Sequence, residues 1–238
     1  FRRVLFRSRK SIGACDKLAY DENEADCNFH NRKKSKESKR DRTFQIFCNG
    51  GITMNKVYTL HDAIAKYVET GDCISFGGFT TNRKPYAAVA EILRQGQGDF
   101  TVWAGPAGGD WDMMIGEGRV KAYINCYTAN SGYTNVSRRF RAAIEKGELA
   151  YEDYSQDVVM LALHAASLGL PFLPVRLMQG SGLTKYWGIS EEQRKTLDKV
   201  DDLKYVEMDN PFNPGEKIVA VPVPKLDTAI IHVQKASP

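Results

Sequence analysis

The chain has 238 residues, of which 42% are hydrophobic and 11% aromatic, so it can bury a substantial core as one large α/β domain or two small ones. No apolar run reaches the roughly 18 residues that a membrane-spanning helix needs, and no secretory signal peptide is visible. The formal net charge is only +4, and we expect a soluble, cytoplasmic protein without a membrane partner.

The basic charge belongs to the first part of the chain. Residues 1–53 hold 13 of the 33 Lys and Arg residues but only 7 of the 29 Asp and Glu residues. The rest of the chain holds 20 basic and 22 acidic side chains, which gives no reason to expect nucleic-acid binding.

Residues 1–53 are predicted to be a non-native or disordered extension. They show no sustained helical or strand periodicity and too little patterned apolar content to offset chain entropy. The basic cluster 32–40 could also be a nuclear-localisation or RNA-binding patch. However, the segment 2–8 resembles a translated sequencing adapter, and Gly50-Gly51 could be encoded by a ribosome-binding sequence before Met54. We therefore hypothesise that residues 1–53 are untranslated DNA read through in frame.

From Met54 onward, predicted strands and helices alternate. Apolar spacing and capping signals predict helices at 58–68, 85–95, 135–146 and 158–168. Short apolar runs predict strands at 73–76, 100–104, 120–127, 171–175, 218–221 and 228–233. This alternation predicts an α/β fold with a mainly parallel sheet flanked by helices. Because the chain stops just after a strand, we expect the domain 54–238 to be truncated at its C-terminus.

Two glycine-rich loops follow predicted strands. Gly77-Gly78-Phe79 comes directly after the strand 73–76, and the loop 105–109 comes after the strand 100–104. Glycine lets the backbone approach a ligand closely, and the start of the next helix offers free N–H groups to an anion. Because parallel strands end at the same edge of a sheet, both loops should line one crevice. For either loop alone, the alternative is a tight turn without a ligand.

Other polar groups favour structural roles. Asp110 and Asp112 lie at a helix start, where carboxylates cap the helix and complement its dipole. Beyond residue 53, no histidine has a matched Asp and Ser partner in the sequence. Cys73 and Cys126 belong to no CxxC motif and have no nearby histidine pair, so neither a metal site nor a disulfide is expected.

Several motifs resemble the first-subunit signature of the family I CoA-transferases, and the resemblance covers nearly all of 54–238. They are Gly71-Asp72, Gly77-Gly78-Phe79 and the segments 99–101, 105–109, 116–121, 147–149 and 169–172. Within the family, the chain is most similar to the first subunits of the glutaconate CoA-transferase group, on the segments 82–86, 125–132, 137–141 and 178–184.

This resemblance implies open, Rossmann-like layers and a first (alpha) subunit that acts in a hetero-oligomer with a second (beta) subunit. It implies ping-pong transfer of CoA, in glutamate fermentation, from acetyl-CoA or a similar acyl-CoA to glutaconate or a related dicarboxylate. The coenzyme A thioester is then a substrate, and no permanently bound cofactor or metal is implied.

The resemblance also places the nucleophile on the partner. In this family the second subunit carries a glutamate in a Ser-Glu-Asn-Gly segment, and this glutamate attacks the acyl-CoA and becomes a glutamyl-CoA thioester. No such segment occurs in this chain, whose glutamates lie in ordinary helix or loop settings; five of them are Glu91, Glu117, Glu145, Glu148 and Glu152.

The family pattern carries over to residues in and around both loops. The implied substrate-binding positions are Gly77, Gly78, Phe79, Asn82, Arg83, Gly105, Pro106, Ala107, Asn130 and Ser131, and Gln156 matches a supporting glutamine near the covalent intermediate. The chain departs from the pattern at Arg83, where the signature has glycine, and at Gly105, where a subset has an oxyanion-holding asparagine. Gly105 can contribute only its backbone. Arginine binds carboxylates bidentately, so Arg83 is the candidate for the remote carboxylate of the acceptor.

Two other functions stay open. Some related subunit pairs open a ring in a CoA-linked substrate by hydrolysis, and a trapped glutamyl-CoA thioester would distinguish transfer from that reaction. Related α/β domains also sense small metabolites for regulators. A sensor would need a DNA-binding segment, and residues 1–53 show no helix-turn-helix pattern.

Overall fold

The computed structural model describes residues 3–8 and 57–235. The strands are β1 (Arg3–Ser8), β2 (Cys73–Phe76), β3 (Phe100–Trp103), β4 (Val120–Asn125), β5 (Ala150–Asp153), β6 (Phe172–Val175), β7 (Val206–Asp209), β8 (Lys217–Pro222) and β9 (Thr228–Val233). The helices are α1 (Leu60–Tyr67), α2 (Tyr86–Gln95), α3 (Gly109–Gly116), α4 (Arg138–Lys146), α5 (Gln156–Leu168), α6 (Gly182–Lys185) and α7 (Glu191–Arg194).

Six strands form the main sheet, in the order β1-β9-β2-β3-β4-β5. The neighbours from β9 to β5 are all parallel, while β1 is antiparallel to β9. Every residue of β2 and β3 is buried, as expected for central strands covered on both faces. The prediction of a mainly parallel sheet flanked by helices is therefore confirmed.

Local signals set the helix ends. Thr59 Oγ1 accepts a hydrogen bond from the Asp62 N–H at 3.1 Å and caps α1, and the Ser155 hydroxyl likewise accepts from the Val158 N–H at 3.4 Å at the start of α5. Gly147 ends α4 in the left-handed conformation with φ of 70°. The predicted helices are confirmed, with starts that differ by one to three residues. Among the described residues, none of these helices has both the length and the apolar character needed to cross a membrane.

The strands predicted at 171–175 and 218–221 do not join the main sheet. β6, β8 and β7 form a separate antiparallel sheet in that order. Pro174 lies in β6 and has no N–H to donate, so it suits the edge position that β6 occupies. Strand periodicity predicts that a strand exists but not which sheet it joins. The expectation of a single sheet was therefore wrong for β6 and β8.

Two apolar clusters hold the layers together. In the first, Trp111 of α3 stacks on Phe76 of β2 with ring centroids 4.0 Å apart. In the second, Trp103 of β3 stacks on Tyr154, and Val219 of β8 packs in the same cluster. The small antiparallel sheet therefore shares a core with the main sheet.

A buried carboxylate at β5 is enclosed by two cations. Glu152, Arg194 and Lys204 have side-chain exposures of 0%, 2% and 0%. Arg194 Nη2 donates to Glu152 Oε2, and Lys204 Nζ lies 2.7 Å from Glu152 Oε1. The Gly188 N–H also donates to Oε1 at 3.1 Å. This cluster attaches the segment that contains α7 to the edge of the main sheet.

Within residues 1–53 the structure describes only β1. The sequence does not predict this strand, which pairs from Arg3 opposite Val233 to Ser8 opposite Thr228. The prediction of a non-native or disordered extension otherwise lies outside the described residues and stays a prediction.

We expect Glu152→Gln to destabilise the fold, because two buried cations would then face a neutral amide. Removing one partner of a buried ion pair costs about 3–5 kcal/mol. Urea unfolding of the full chain, followed by tryptophan fluorescence, measures this loss. Glu145→Gln is the matched control, because Glu145 and its partner Arg141 are 61% and 68% exposed and should contribute little. Equal effects of the two variants would contradict the prediction.

Candidate functional site

The two glycine-rich loops meet at the carboxyl edge of the main sheet. The Thr80 N–H of the first loop donates to the Pro106 carbonyl oxygen of the second at 2.9 Å. A Cβ at position 108 would lie 2.6 Å from the Thr80 carbonyl oxygen, so only glycine permits this approach. The sequence-based expectation that both loops lie side by side is therefore met.

A buried ion pair joins the loops beneath their surface. Lys84 Nζ lies 3.2 Å from Asp110 Oδ2, with side-chain exposures of 2% and 0%. Lys84 Nζ also donates to the Pro106 carbonyl oxygen at 3.3 Å, and the Gly108 N–H donates to Asp110 Oδ1 at 3.1 Å. Burial raises the pKa of Asp110, whereas the Lys84 ammonium and the Gly108 N–H act in the opposite direction.

The two aspartates predicted as a capping pair have different roles. Asp110 lies in the first turn of α3, where it suits the helix dipole, but its main partner is Lys84. Asp112 Oδ1 accepts from the Phe140 N–H at 2.9 Å and so caps the neighbouring helix α4. Spacing along the sequence does not distinguish these two roles.

The first loop is a tight turn with an unusual backbone. Phe79 and Asn82 exchange backbone hydrogen bonds of 3.0 and 2.8 Å. Gly78 has φ of 97°, and a Cβ there would lie 2.6 Å from the Asn82 carbonyl oxygen. Thr80 and Arg83 also have positive φ, of 48° and 55°, which is uncommon outside glycine and costs about 1–2 kcal/mol per residue. Arg83 thus occupies a left-handed position where the family signature has glycine.

The second loop is held by one buried asparagine. Asn125 Nδ2 donates to the carbonyl oxygens of Ala104 and Gly105 at 2.9 and 2.8 Å. Asn125 Oδ1 accepts from the Tyr127 N–H at 2.6 Å and from Thr128 Oγ1 at 2.8 Å. This network fixes the peptide units on both sides of Gly105, and no residue of the described part accepts a backbone hydrogen bond from the Gly105 N–H.

The implied substrate-binding residues are spread over these two loops and their surroundings. Phe79 is 49% exposed, and the side chains of Asn82 and Arg83 are exposed beside it. Asn130 Oδ1 would lie 3.1 Å from a Cβ at Gly108, so this side chain reaches the second loop. Ser131 Oγ instead lies 3.3 Å from the Tyr127 hydroxyl on the exposed side of the 127–133 turn.

Gln156 is the first residue of α5 and is exposed. Met160 follows it by four residues, so both lie on the same face of the helix. The Met160 sulfur would lie 2.8 Å from a Cβ at Gly105, which places this face of α5 next to the second loop. The structure therefore brings Gln156 to the same edge as the glycine-rich loops.

Two residues near the loops have no counterpart in the sequence-based prediction. They are Met160 and Tyr86, whose hydroxyl would lie 3.0 Å from a Cβ at Gly109. The glycines themselves were the available signal, because each marks a point where another group approaches the backbone. Sequence spacing does not identify the approaching group.

Two cavities lie away from the loops. One of about 450 Å³ runs along the antiparallel sheet, lined by apolar residues that include Phe172, Val206 and Val221. The other, of about 300 Å³, is polar and lies at the opposite edge of the main sheet, beside Thr70 and Asp99. Neither cavity includes an implied substrate-binding residue.

The cysteines and one histidine of the described part of the chain lie in structural surroundings. Cys73 and Cys126 are free, and burial raises the pKa of their thiols to about 12 and about 11. His232 Nδ1 lies 3.0 Å from the Lys84 carbonyl oxygen, a contact that supports the loop. Within residues 3–8 and 57–235, no three His, Cys, Asp or Glu side chains are grouped to hold a metal ion.

Five glutamates that could in principle act as a nucleophile are paired with cations of this chain. The pairs are Glu91 with Arg94, Glu117 with Arg139, Glu145 with Arg141, Glu148 with Lys146, and Glu152 with Arg194 and Lys204. The expectation that all lie in ordinary helix or loop settings was wrong for Glu152, which lies in a strand and is completely buried. A sequence does not show that Arg194 and Lys204 fold back onto it.

Comparisons with known proteins agree with this fold. The family model for coenzyme A transferase matches residues 57–238. A glutaconate CoA-transferase subunit of Acidaminococcus fermentans is 72% identical over 185 residues, which are 78% of this chain and 58% of that protein. A cholesterol ring-cleaving hydrolase IpdA subunit of Rhodococcus jostii is 32% identical over 184 residues, 75% of this chain and 56% of that protein.

The structural comparison gives the same result. The crystal structure of glutaconate coenzyme A-transferase from Acidaminococcus fermentans matches with a TM-score of 0.71 and 72% identity, over 72% of this chain and 54% of that chain. This chain thus spans somewhat more than half the length of the relatives it matches.

We expect Lys84→Met to make stability depend on pH. Asp110 would lose its buried partner, and its pKa in the folded state, already raised by burial, would rise further above the unfolded value. The folded state then binds the additional proton, so stability should fall as pH rises from about 4 through the folded pKa. Thermal melting of the full chain between about pH 4.5 and 8 measures this slope.

The double variant Lys84→Met/Asp110→Asn is the control, because it carries no titrating group at this position. Its melting temperature should vary with pH no more than that of the wild type. If the melting temperature of the single variant varied with pH as little as that of the double variant, the pKa of Asp110 would not depend on Lys84.

Proposed function

The chain belongs to the coenzyme A transferase family, and we propose that it is the first subunit of an enzyme that transfers CoA from acetyl-CoA or a similar acyl-CoA to glutaconate or a related dicarboxylate. The observation that carries this proposal is the 72% identity to the glutaconate CoA-transferase subunit of Acidaminococcus fermentans. In this proposal the CoA thioester is a substrate, and a second subunit completes the enzyme. Several relatives are themselves named as subunits, which supports such a partner.

We assign the nucleophile to a glutamate of that second subunit. The family resemblance places it there, because this chain has no Ser-Glu-Asn-Gly segment. Glu152 in particular has no exposed side-chain surface and is held by Arg194 and Lys204. Both observations support a division of labour in which this chain binds and orients the acyl groups.

The proposed reaction proceeds by covalent catalysis in two matched halves. A carboxylate oxygen of the nucleophile attacks the acyl-CoA carbonyl carbon and expels the CoA thiolate, which leaves a mixed anhydride. The thiolate attacks the glutamyl carbonyl carbon, releasing the first acid and forming the glutamyl-CoA thioester. The acceptor carboxylate repeats these steps in reverse, so the free glutamate is regenerated and no oxidant or reductant is consumed.

Each tetrahedral intermediate develops an oxyanion that needs hydrogen-bond donors. We assign the Gly105 N–H to this role, with Gln156 as a supporting donor. Asn125 fixes the peptide that carries this N–H through the Ala104 carbonyl oxygen at 2.9 Å, and within residues 57–235 the N–H has no backbone acceptor of its own. A donor that is held in place costs no reorganisation when the charge develops.

Arg83 is the proposed partner for the remote carboxylate of the acceptor. Its side chain is exposed on the first loop, at the carboxyl edge of the sheet where the second loop also lies. Its guanidinium can bind a carboxylate through two parallel hydrogen bonds. Asn130 and Ser131 are proposed to add hydrogen bonds from the 127–133 turn.

A ring-cleaving hydrolase is the second candidate, favoured by the 32% identity to the IpdA subunit. The identity to both relatives extends over nearly the same part of the chain, so the two loops alone do not separate the candidates. Formation of a glutamyl-CoA thioester on the second subunit does separate the two candidates, because only transfer requires this thioester.

The assay that tests the proposal uses the complete gene, started at Met54 and co-expressed with the second subunit from the neighbouring gene. Acetyl-CoA and glutaconate should yield glutaconyl-CoA only when both chains are present, and borohydride reduction should trap a glutamyl thioester on the partner. Carbon–carbon cleavage of a cyclic CoA thioester without a trapped thioester would favour the hydrolase and contradict the transferase proposal.

Arg83→Ala should raise the KM for glutaconate about 10- to 150-fold, since a hydrogen bond to a charged group is worth about 1.5–3 kcal/mol. Steady-state kinetics of the two-subunit enzyme give the value. Arg83→Gly is the matched variant, because it removes the guanidinium and relieves the positive φ of 55°. Crotonate lacks the remote carboxylate, and its KM should change little in either variant. An unchanged KM for glutaconate in both would remove Arg83 from the site.

A further inference from the structure

The space beside Gly105 is filled by a side chain from another element. Among the described residues other than its chain neighbours, only Met160 lies within 4 Å of the position that a Cβ on residue 105 would take, with its sulfur at 2.8 Å and its terminal methyl at 4.0 Å. The backbone conformation at position 105 does not require glycine, because its φ is not in the positive range that favours glycine. The glycine at this position therefore makes room for Met160.

Met160 does not lie on the buried face of α5. The inward residues of α5 are Val158, Val159, Ala162 and Ala165, whereas Met160 is 48% exposed. An exposed apolar side chain that points over a glycine-rich loop lines a surface that a ligand can reach. Methionine suits such a surface, since its flexible thioether adapts to groups of different shape.

The position of Met160 relative to the proposed site is defined by its neighbours. Gln156, the supporting donor, lies one helical turn before it, and Gly105, whose N–H is the proposed oxyanion donor, lies beneath its sulfur. A thioester carbonyl that accepts from the Gly105 N–H would have its acyl chain next to Met160.

We propose that Met160 is a specificity-determining residue that limits the size of the acyl group admitted beside Gly105. This inference rests on the proposed function, because it takes the acyl-CoA to bind at that glycine. Residues 105 and 160 share one volume, so the residue at either position determines how much of it the substrate can use. Met160 takes no part in the chemical steps.

The test uses this chain in complex with its partner and three donors, acetyl-CoA, butanoyl-CoA and hexanoyl-CoA. Met160→Ala should raise kcat/KM for butanoyl-CoA relative to acetyl-CoA about tenfold or more, in the range that one to two methylenes are worth in an apolar pocket. Gly105→Ala should shift the ratio in the opposite direction, because its methyl group displaces the thioether towards the substrate. Leu161→Ala is the matched control, being the next residue on α5 and 43% exposed, and it should leave the ratio unchanged.

A second measurement tests the shared volume without any activity. Gly105→Ala should lower the melting temperature of the full chain less in the Met160→Ala background than in the wild type, because the thioether that it meets is then absent. Additive effects of the two changes on stability, together with a Gly105→Ala donor ratio equal to that of the wild type, would overturn the geometry on which the proposal depends.

The outcomes distinguish a failure of this inference from a failure of the proposed function. If the wild-type complex transfers CoA but Met160→Ala leaves the donor ratio within about twofold of wild type, the assignment of Met160 is wrong and the transferase proposal stands. If the wild-type complex transfers no CoA, the proposed function fails, and the inference about Met160, which rests on it, fails with it.

Discussion

The Lys84–Asp110 ion pair is the constraint on which the candidate site depends. Both charges are withdrawn from water, so each is tolerable only while the other stays within about 4 Å of it. Lys84 belongs to the loop after β2 and Asp110 to the start of α3, so the pair holds together two segments that are distant in sequence. The ion pair lies beneath the point where Thr80 closely approaches Gly108, an approach that the missing Cβ of Gly108 permits.

The main sheet supplies the frame for this contact. β2 and β3 are neighbouring parallel strands, so the loops that follow them emerge at the same edge. Asn125, at the end of the next strand β4, then fixes the second loop from the other side through the Ala104 and Gly105 carbonyl oxygens. Three adjacent strand ends thus build a rigid surface, and a rigid surface binds with a smaller loss of conformational entropy than a mobile one.

Much of this arrangement could be predicted from local sequence signals. The buried strands, the capped helices and the two loops all follow from patterns within about ten residues, and parallel pairing then places the loops together. Contacts between distant residues could not be predicted, since nothing near Lys84 indicates Asp110 and nothing near Gly105 indicates Met160. The antiparallel sheet was missed for a similar reason, because an apolar run does not indicate which strand will be its neighbour. Glu152 illustrates the same limit, as its two cations lie 42 and 52 positions further along the chain.

The left-handed backbone of Arg83 has a consequence for how the first loop responds to binding. A glycine at this position would sample many conformations when no ligand is present, and each would have to be given up on binding. An arginine has far fewer accessible backbone states, so part of that ordering is already complete in the free protein. The exchange of glycine for arginine therefore adds a charge and also limits the range of conformations that the loop adopts without a ligand, at the expense of the strain stored at its φ of 55°.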